Sequence, residues 1–454
     1  MAFASASAQA FAEGATRART TADIFEWATP GQQKPLLRRR VVSTMDTTQR
    51  TALSDAPEAP ERLVFSMRTR LDLEHGSAFG TSPDSPSNFV PGFEHGPIDV
   101  VALNATVTGL LKDHLDVALG RHLLSDAAGF ASFDGLRARW RLTDAVYIEG
   151  RAGFETRYGM PLVAGGAFES DGVLRAPRAN WSANAAPDVI SLAAMPYVAG
   201  EAYADLGWVR MAGAYRRTSD PSTGGLSREE VALNASTAAG RRWSLSANAR
   251  YAMHAARLAS LRADTQHLLG RGWSANAYYT FFQPTFDAAS IWNVFFVSPT
   301  SALGMEVRTQ LRPGCAVSAG AELSLLGASQ AGVGTRVGGQ ASATCNVGRD
   351  AVELRARAKA SAAGNGQAIS HTLVYAGYEH PLDMRWSLRT RAQAWRLEGN
   401  ERAELDGVGA GGVAGAYYTL SSGSVAGVDV ERNWGSGPNA SARVMAYLDV
   451  AVWP

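Results

Sequence analysis

Arginines recur at every second position in several segments of the sequence, and this spacing could support anion chemistry. The segment RARWR places Arg137, Arg139 and Arg141 two residues apart. Side chains two residues apart point to the same face of a β-strand, so the segment predicts a row of guanidinium groups. Such a row either lowers the barrier for passing anions or pairs with carboxylates on neighbouring strands. The sequence leaves both interpretations open.

The strand face that carries these arginines is predicted to line an aqueous interior. The residues assigned to it are Arg68, Arg70, Asp72, Arg137, Arg139, Arg141, Glu149, Arg151, Glu306, Arg308, Arg355, Arg357, Arg385, Arg389 and Arg391. The alternate positions of the same segments are apolar. In AVELRARAKA, for example, Val352 and Leu354 oppose Glu353 and Arg355. About twenty such strands in a soluble protein would need a far larger core than these small side chains could fill.

The elements that position these residues are alternating segments of about 10 to 14 residues, which follow one another from residue 62 to the end. This length suits a membrane-spanning strand. The sequence therefore predicts an all-β fold, a single transmembrane antiparallel β-barrel of about 18–20 strands. The final segment, ARVMAYLDVAVWP, is predicted to close the barrel against the first strand, because a bilayer tolerates no open sheet edge.

The connections between the segments alternate in length. Tight turns such as NVGRD at 346–350 and LRPG at 311–314 alternate with longer connections such as 75–96 and 157–193. Short periplasmic turns and long extracellular loops are typical of outer-membrane barrels. Several tryptophans lie beside the proposed short turns, as expected for an aromatic belt at the membrane surface.

Composition excludes several classes of protein. The formal net charge of +1 predicts no strong attraction to nucleic acid or to anionic lipid, and there is no run of 18 apolar residues for a helical span. The histidines and the two cysteines form no metal-ligand or nucleophile motif, so we expect no metal, no cofactor and no enzymatic activity.

The first 60 residues are rich in Thr, Ala and Pro and are predicted to form a disordered or loosely ordered periplasmic segment, with the barrel occupying residues 61–454. The opening residues, MAFASASAQAFAEG, lack the basic and apolar regions of a recognisable signal peptide.

Two further features have alternative interpretations. The apolar loop FFQPTFDAASIWNVFFVSP either folds into the barrel as a constriction, with Asp287 and Trp292 as candidates, or packs against neighbouring loops or a partner. Cys315 and Cys345 fall nearly opposite each other in one predicted hairpin, where they would form a disulfide or remain as two free thiols.

The stretch LDVALGRHLLSDAAGFASFDGLRARWRL resembles large porin-type outer-membrane barrels, especially the alginate-export-like group. The resemblance lies in Gly120-Arg121 at one strand end and Phe133-Asp134-Gly135 opening the next strand. It implies passive passage of small hydrophilic solutes such as sugars or uronate-like anions. It also implies contact with outer-membrane lipid and with the barrel-assembly machinery. Whether the chain is a monomer or a homo-oligomer stays open.

The leading functional hypothesis is therefore a water-filled diffusion channel in a bacterial outer membrane, for solutes that are anionic or sugar-like. The first alternative is a non-conducting surface scaffold or adhesin that uses its long loops. The second is an outer-membrane hydrolase, which the absence of a catalytic motif disfavours.

Overall fold

The computed structural model describes residues 13–28, 36–52, 62–76, 98–155, 195–220, 224–240, 242–285, 299–329, 332–362, 368–398, 406–421, 423–435 and 440–453. These residues form twenty-two β-strands. The strands are β1 Glu13–Ala28, β2 Leu36–Ala52, β3 Arg62–Gly76, β4 Ile98–Gly109, β5 Leu115–Asp126, β6 Gly129–Thr143, β7 Val146–Glu155, β8 Met195–Asp205, β9 Val209–Ser219, β10 Leu226–Ala239, β11 Trp243–Ala252, β12 Arg257–Gly270, β13 Trp273–Phe282, β14 Thr300–Arg312, β15 Cys315–Ser329, β16 Gly332–Val347, β17 Asp350–Ala362, β18 Ala368–Pro381, β19 Trp386–Glu398, β20 Gly407–Ser421, β21 Ser424–Gly435 and β22 Ala440–Trp453.

The strands form one closed sheet. Each strand pairs antiparallel with its neighbours in sequence, and β1 pairs antiparallel with β22, from Thr16 opposite Trp453 to Ala28 opposite Ala440. The predicted all-β antiparallel barrel is therefore confirmed, with twenty-two strands instead of 18–20. Closure leaves no free sheet edge along the seam between the first and last strands.

The two additional strands lie in the N-terminal segment, where the expectation of disorder was wrong. Residues 13–28 pair with residues 36–52 and with β22, so the barrel begins at Glu13 and not at residue 61. The physical reason is that a barrel strand needs only alternation, not strong hydrophobicity. Over residues 17–24 of β1, Arg17, Arg19 and Asp23 share one face, while Ala18, Thr20, Ala22 and Ile24 occupy the other.

The two faces of the wall have opposite chemistry. Large aliphatic side chains on one face lie open to the surroundings; Leu303 and Leu354, for example, are 59% and 52% exposed. On the other face, polar groups touch across a skipped strand: Tyr278 of β13 donates to Glu322 of β15 at 2.7 Å, and Lys359 of β17 donates to Glu322 at 2.6 Å. Side chains converge on the concave side of a cylinder, so the polar face is the lumen.

The connections fall into two sets at opposite ends of the barrel. One end has tight turns between strands such as β14 and β15 or β16 and β17. Trp140, Trp243, Trp273 and Trp386 face outward near this end and are 40–47% exposed. One connection at this end, Leu110–Asp113, is a turn in which Leu111, Lys112 and Asp113 have positive φ angles. None of the described residues belongs to a helix long and apolar enough to span a membrane.

A line of glycines interrupts the wall at the β5–β6 hairpin. Gly120 lies opposite Gly135, which in turn lies opposite Gly153. A Cβ at Gly135 would lie 2.1 Å from the Ala152 carbonyl oxygen, and a Cβ at Gly120 would lie 2.1 Å from that of Leu103. Only glycine permits so close an approach of two backbones, and here it allows the hairpin to bend.

Candidate functional site

Beyond the glycine line, the hairpin tip leaves the wall and enters the lumen. The tip, defined as residues 122–133, has no ladder partner on β4, because the β4–β5 pairing ends at Arg121 opposite Leu103. Ala127 and Ala128 instead pack against Ala214 of β9 and Ala232 of β10. The Asn248 side chain of β11 donates to the Ala127 carbonyl oxygen at 3.3 Å. The tip therefore lies across the inner face of β7 to β11.

Asp126 holds the tip in this position. Its two carboxylate oxygens accept hydrogen bonds from Arg151 of β7 and Arg216 of β9, and its side chain is fully buried. Arg216 also donates to the Phe130 carbonyl oxygen at 2.9 Å and to the Gly129 carbonyl oxygen. These charge-assisted bonds join the tip to β7 and to β9, and Arg216 of β9 lies 90 residues after Asp126 in the chain.

The arginines beneath the tip form one ion-pair network. Glu149 accepts from Arg137 and Arg139 at 2.8 Å and from Arg151 at 2.6 Å, and its side chain is fully buried. Arg151 completes its contacts with Glu201 at 2.6 Å. Because every guanidinium here has a carboxylate partner, the ion pairs hold this part of the wall rigid.

A stack of three rings supports the base of the tip. His122 and Phe133 lie with ring centroids 4.8 Å apart, and Phe133 and Tyr197 of β8 lie 4.9 Å apart. All three side chains are buried. The rings hold the bent hairpin against β8 through apolar contact, in addition to the ionic contacts at Asp126.

On the opposite side of the hairpin, Arg121 and Asp134 fill the place that the bend leaves in the wall. Arg121 donates to both oxygens of Asp134 at 2.7 Å, and its third donor reaches the Val100 carbonyl oxygen at 3.1 Å. That carbonyl lies on the part of β4 that has lost its β5 partner. In the Gly-Arg and Phe-Asp-Gly motifs, the glycines therefore permit the bend. The Arg121 side chain, held by Asp134, replaces a backbone hydrogen bond that β4 loses where β5 leaves it.

A second region of the lumen, on β12 to β17, has a different character. Two rows of side chains cross it: one runs Ser274, Arg308, Ser318, Ser342, Arg355, and the other runs Gln266, Asn276, Glu306, Gly320, Gln340, Arg357. Two cavities of about 580 and 500 Å³ lie over these rows and share Glu306 and Arg308. We call this region the open wall.

The open wall contains arginines that no acid neutralises. Arg308 and Arg357 are exposed to the lumen, as is Arg391 on β19, and none of the three forms an ion pair with another described residue. Glu306 accepts from the Gln340 amide at 2.9 Å, and the Ser318 and Ser342 hydroxyls lie 2.9 Å apart. Free guanidinium groups beside hydroxyl and amide groups can contact passing solutes directly.

The structure separates the predicted lumen residues into two groups. Most of the arginines have an acidic partner, as in Arg68 with Asp46, Arg141 with Asp116, Arg355 with Glu353 and Arg389 with Glu379. Arg70 and Asp72 lie in β3, opposite Thr44 and Val42. For the paired arginines, the interpretation as wall-holding ion pairs fits the contacts; the uncompensated positions are Arg308, Arg357 and Arg391.

Arg385 is a correction to the predicted lumen set. It lies in the short turn between β18 and β19, fully exposed, and donates to the Tyr418 hydroxyl at 3.2 Å. Tyr418 faces outward, beside Trp386 at a centroid distance of 4.8 Å. Arg385 is an even number of residues from Arg389, so strand alternation would place both side chains on the lumen face. The strand begins only at Trp386, however, so alternation does not fix the direction of the Arg385 side chain.

The constriction candidates Asp287 and Trp292 lie outside the described residues. Among the residues that the structure describes, the segment that narrows the lumen is the hairpin tip. Cys315 and Cys345 lie directly opposite each other in β15 and β16, with Cα atoms 4.1 Å apart and their sulfur atoms bonded.

Sequence reasoning missed Asp126, Arg216 and Glu230, which lie at the centre of the ion-pair network. Glu230 lies beside Arg228 at 2.9 Å and is fully buried. A signal was available in the glycines at 120 and 135, since strand-interior glycines often mark bends. Two of the residues that the bent tip contacts, Arg216 and Asn248, lie 86 to 121 positions away, beyond the reach of any local pattern.

Comparison with known proteins gives the following findings. No family model matches the sequence, and no curated protein matches it. Among solved structures, a BenF-like porin from Pseudomonas fluorescens Pf-5 is 8% identical with a TM-score of 0.47, over 97% of this chain and 98% of that one. Pseudomonas aeruginosa OpdQ is 8% identical with a TM-score of 0.43, over 97% and 100%.

An anion-selective porin from Comamonas acidovorans is 11% identical with a TM-score of 0.38, over 57% of this chain and 90% of that one. The comparisons lend no support to the alginate-export-like resemblance. The function of this chain must therefore be argued from the geometry of its own lumen.

Proposed function

We propose that this chain is a bacterial outer-membrane channel for the passive diffusion of small hydrophilic solutes. The observation that carries the proposal is a closed barrel whose outer face exposes large aliphatic side chains while its inner face is charged. An apolar surface of this extent would aggregate in water, whereas in a bilayer it is solvated by acyl chains.

The lumen supports conduction because the tip occupies only one side of it. Among the described residues, the tip covers β7 to β11 and leaves the open wall uncovered. A barrel of this width encloses far more space than one hairpin can fill. The remaining lumen is lined by polar groups and accepts hydrated solutes.

The open wall supports a preference for anionic or hydroxylated solutes. Arg308 and Arg357 of the open wall, together with Arg391 of β19, supply positive charge that no described carboxylate neutralises within ion-pair distance. Beside them, the cavity of about 580 Å³ is lined by neutral hydroxyl and amide groups, including Ser246, Gln266 and Asn276. These groups can exchange their hydrogen bonds with water for bonds with a solute at little net cost. Insertion by the barrel-assembly machinery and homo-oligomerisation remain predictions.

The decisive experiment is single-channel recording in a planar bilayer under a salt gradient. Discrete current steps with a reversal potential on the anion side support both the channel and the role of the unpaired arginines. Steps without ion preference support the channel and contradict the anion preference. A folded barrel that never conducts contradicts the proposal and favours a surface scaffold.

A further inference from the structure

The outer surface of the barrel contains a groove that the channel function does not use. A cavity of about 440 Å³ lies on the outward face of β9 to β14. Its floor is formed by Ala235, Ala247 and Ala263, which lie side by side on adjacent strands, while Leu245 and Leu303 form part of its walls. The exposed surface of the lining is almost entirely apolar, which suits a lipid acyl chain.

An aromatic pair lies between this groove and the short-turn rim. Trp243 of β11 lies opposite His267 of β12, with ring centroids 3.8 Å apart in an edge-on arrangement. Trp273 of β13 faces outward nearby and is 47% exposed. Indole rings favour the level of lipid headgroups, so the groove extends from the headgroup level into the hydrocarbon region.

Two arginines lie at the rim below the same strands. Arg242 ends the turn between β10 and β11, and its carbonyl oxygen accepts from the Leu268 amide of β12 at 2.8 Å. Arg271 lies in the next short turn, between Gly270 and Gly272. Both arginines are exposed, and neither forms an ion pair with another described residue.

Arg271 occupies a backbone position that favours glycine. Its φ angle is +50°, a left-handed conformation that costs energy for a residue with a side chain. The strain is consistent with a role for its charge outside the chain.

From these observations we infer that the groove, the Trp243–His267 pair and the two rim arginines form a binding site for one anionic phospholipid. The phospholipid belongs to the periplasmic leaflet, because the short turns lie on that side of a barrel in the outer membrane. One acyl chain fills the alanine-floored groove. The phosphate lies about three strand residues, or roughly 10 Å, below Leu245, at the level of Arg242 and Arg271.

Charge complementarity selects a phospholipid over a second copy of the barrel. The two arginines without an ion-pair partner lie in the turns at one end of the strands that carry the apolar groove, an arrangement that matches a molecule with an anionic head and an apolar tail. The inference depends on the proposed membrane placement but not on conduction, so a barrel that fails to conduct would leave it standing.

The test compares lipid retention by native mass spectrometry of the full chain in detergent micelles. The probes are dioleoyl phosphatidylglycerol and dioleoyl phosphatidylcholine at equal concentration. The wild-type barrel is expected to retain one phosphatidylglycerol in preference to phosphatidylcholine. The double variant Arg242→Gln/Arg271→Gln is expected to bind phosphatidylglycerol about thirtyfold more weakly, since two cations are lost.

Arg349→Gln is the matched control, because Arg349 lies in another short turn, between β16 and β17, away from the groove. It is expected to retain the lipid as the wild type does. Ala263→Leu fills the groove without touching the arginines and is expected to reduce retention of the same lipid. Heat-modified migration on a gel verifies that each variant is folded.

Three outcomes of the lipid measurements would overturn the inference. They are equal retention of the two lipids by the wild type, equal loss in Arg349→Gln and the double variant, and full retention by Ala263→Leu. A stable dimer that Ala263→Leu dissociates would also overturn it, by assigning the groove to a second copy of the chain.

Discussion

The two sides of the lumen use the same residue type for different purposes. Beneath the hairpin tip, Arg151 contacts Asp126, Glu149 and Glu201, and its side chain is only 2% exposed. On the open wall, Arg308 is exposed between two serines and has no acidic partner among the described residues. An arginine in a lumen is therefore structural or solute-facing according to the carboxylates that the fold brings to it, not according to its own position in a strand.

The largest effect is expected from removing the Asp126 carboxylate, which holds the tip against β7 and β9. Asp126→Asn leaves Arg151 and Arg216 buried with one fewer charge partner. It should weaken tip docking by about 3–5 kcal/mol, as expected for breaking a buried ion pair. The tip should then detach, so that unit conductance and open-channel noise both increase in planar-bilayer recordings.

The matched control for that substitution is Asp264→Asn on the open wall. Asp264 pairs with Arg262 at 2.8 Å, but the Arg262 side chain is 62% exposed. An exposed pair contributes about 0–1 kcal/mol, so conductance should change little. Equal effects of the two substitutions would contradict the assignment of Asp126 as the residue that fastens the tip.

The next largest effect is expected at the bend. Gly135→Ala places a Cβ 2.7 Å from the Gly153 Cα and still closer to the Ala152 carbonyl oxygen. The clashing atoms belong to the backbone of β7 and cannot move aside as the end of a flexible side chain could. The variant should therefore lose about 1–3 kcal/mol of stability. Urea unfolding of the reconstituted barrel measures the loss. Gly150→Ala, where an added Cβ meets nothing within 4 Å, is the control and should unfold as the wild type does.

The smallest effect is expected from substitutions of the unpaired arginines on the open wall. Arg308→Gln/Arg357→Gln removes two unpaired charges and should lower the anion-to-cation permeability ratio about two- to fivefold, because exposed charges act through screened electrostatics. The reversal potential under a salt gradient measures this ratio. Arg262→Gln, which removes a paired exposed arginine, is the control; an equal shift in that variant would show that pairing does not decide selectivity.

Most of the wall follows from the sequence because alternation is a local property. The strand that contains Val352 and Arg355 could be assigned from ten residues alone, and so could its two faces. The same rule applied to residues 13–28 would have identified β1, whose alternation of Arg17 and Arg19 with Ala18 and Thr20 is clear. Its low hydrophobicity concealed it, although small residues are sufficient on a lipid-facing strand.

The hairpin tip could not be predicted in this way. Asp126 is followed by Ala127, Ala128 and Gly129, which is an ordinary tight-turn sequence. What makes Asp126 important is its ion pair with Arg216, and that contact depends on a bend at Gly120 and on the curvature of the three intervening strands, β6 to β8. Local patterns specify which way a side chain points relative to its strand, but not where the strand itself goes.

The pairing of β1 with β22 has a kinetic consequence. Arg17 and Asp449 form hydrogen bonds at 2.6 Å across a separation of 432 residues. Contacts between such distant positions carry the largest loop-closure cost and slow the folding of a chain. Until that contact forms, β1 and β22 each present an unpaired edge that can bind another strand. We therefore expect closure of the cylinder to come late in folding, and a chain arrested before β22 pairs with β1 to expose two open sheet edges.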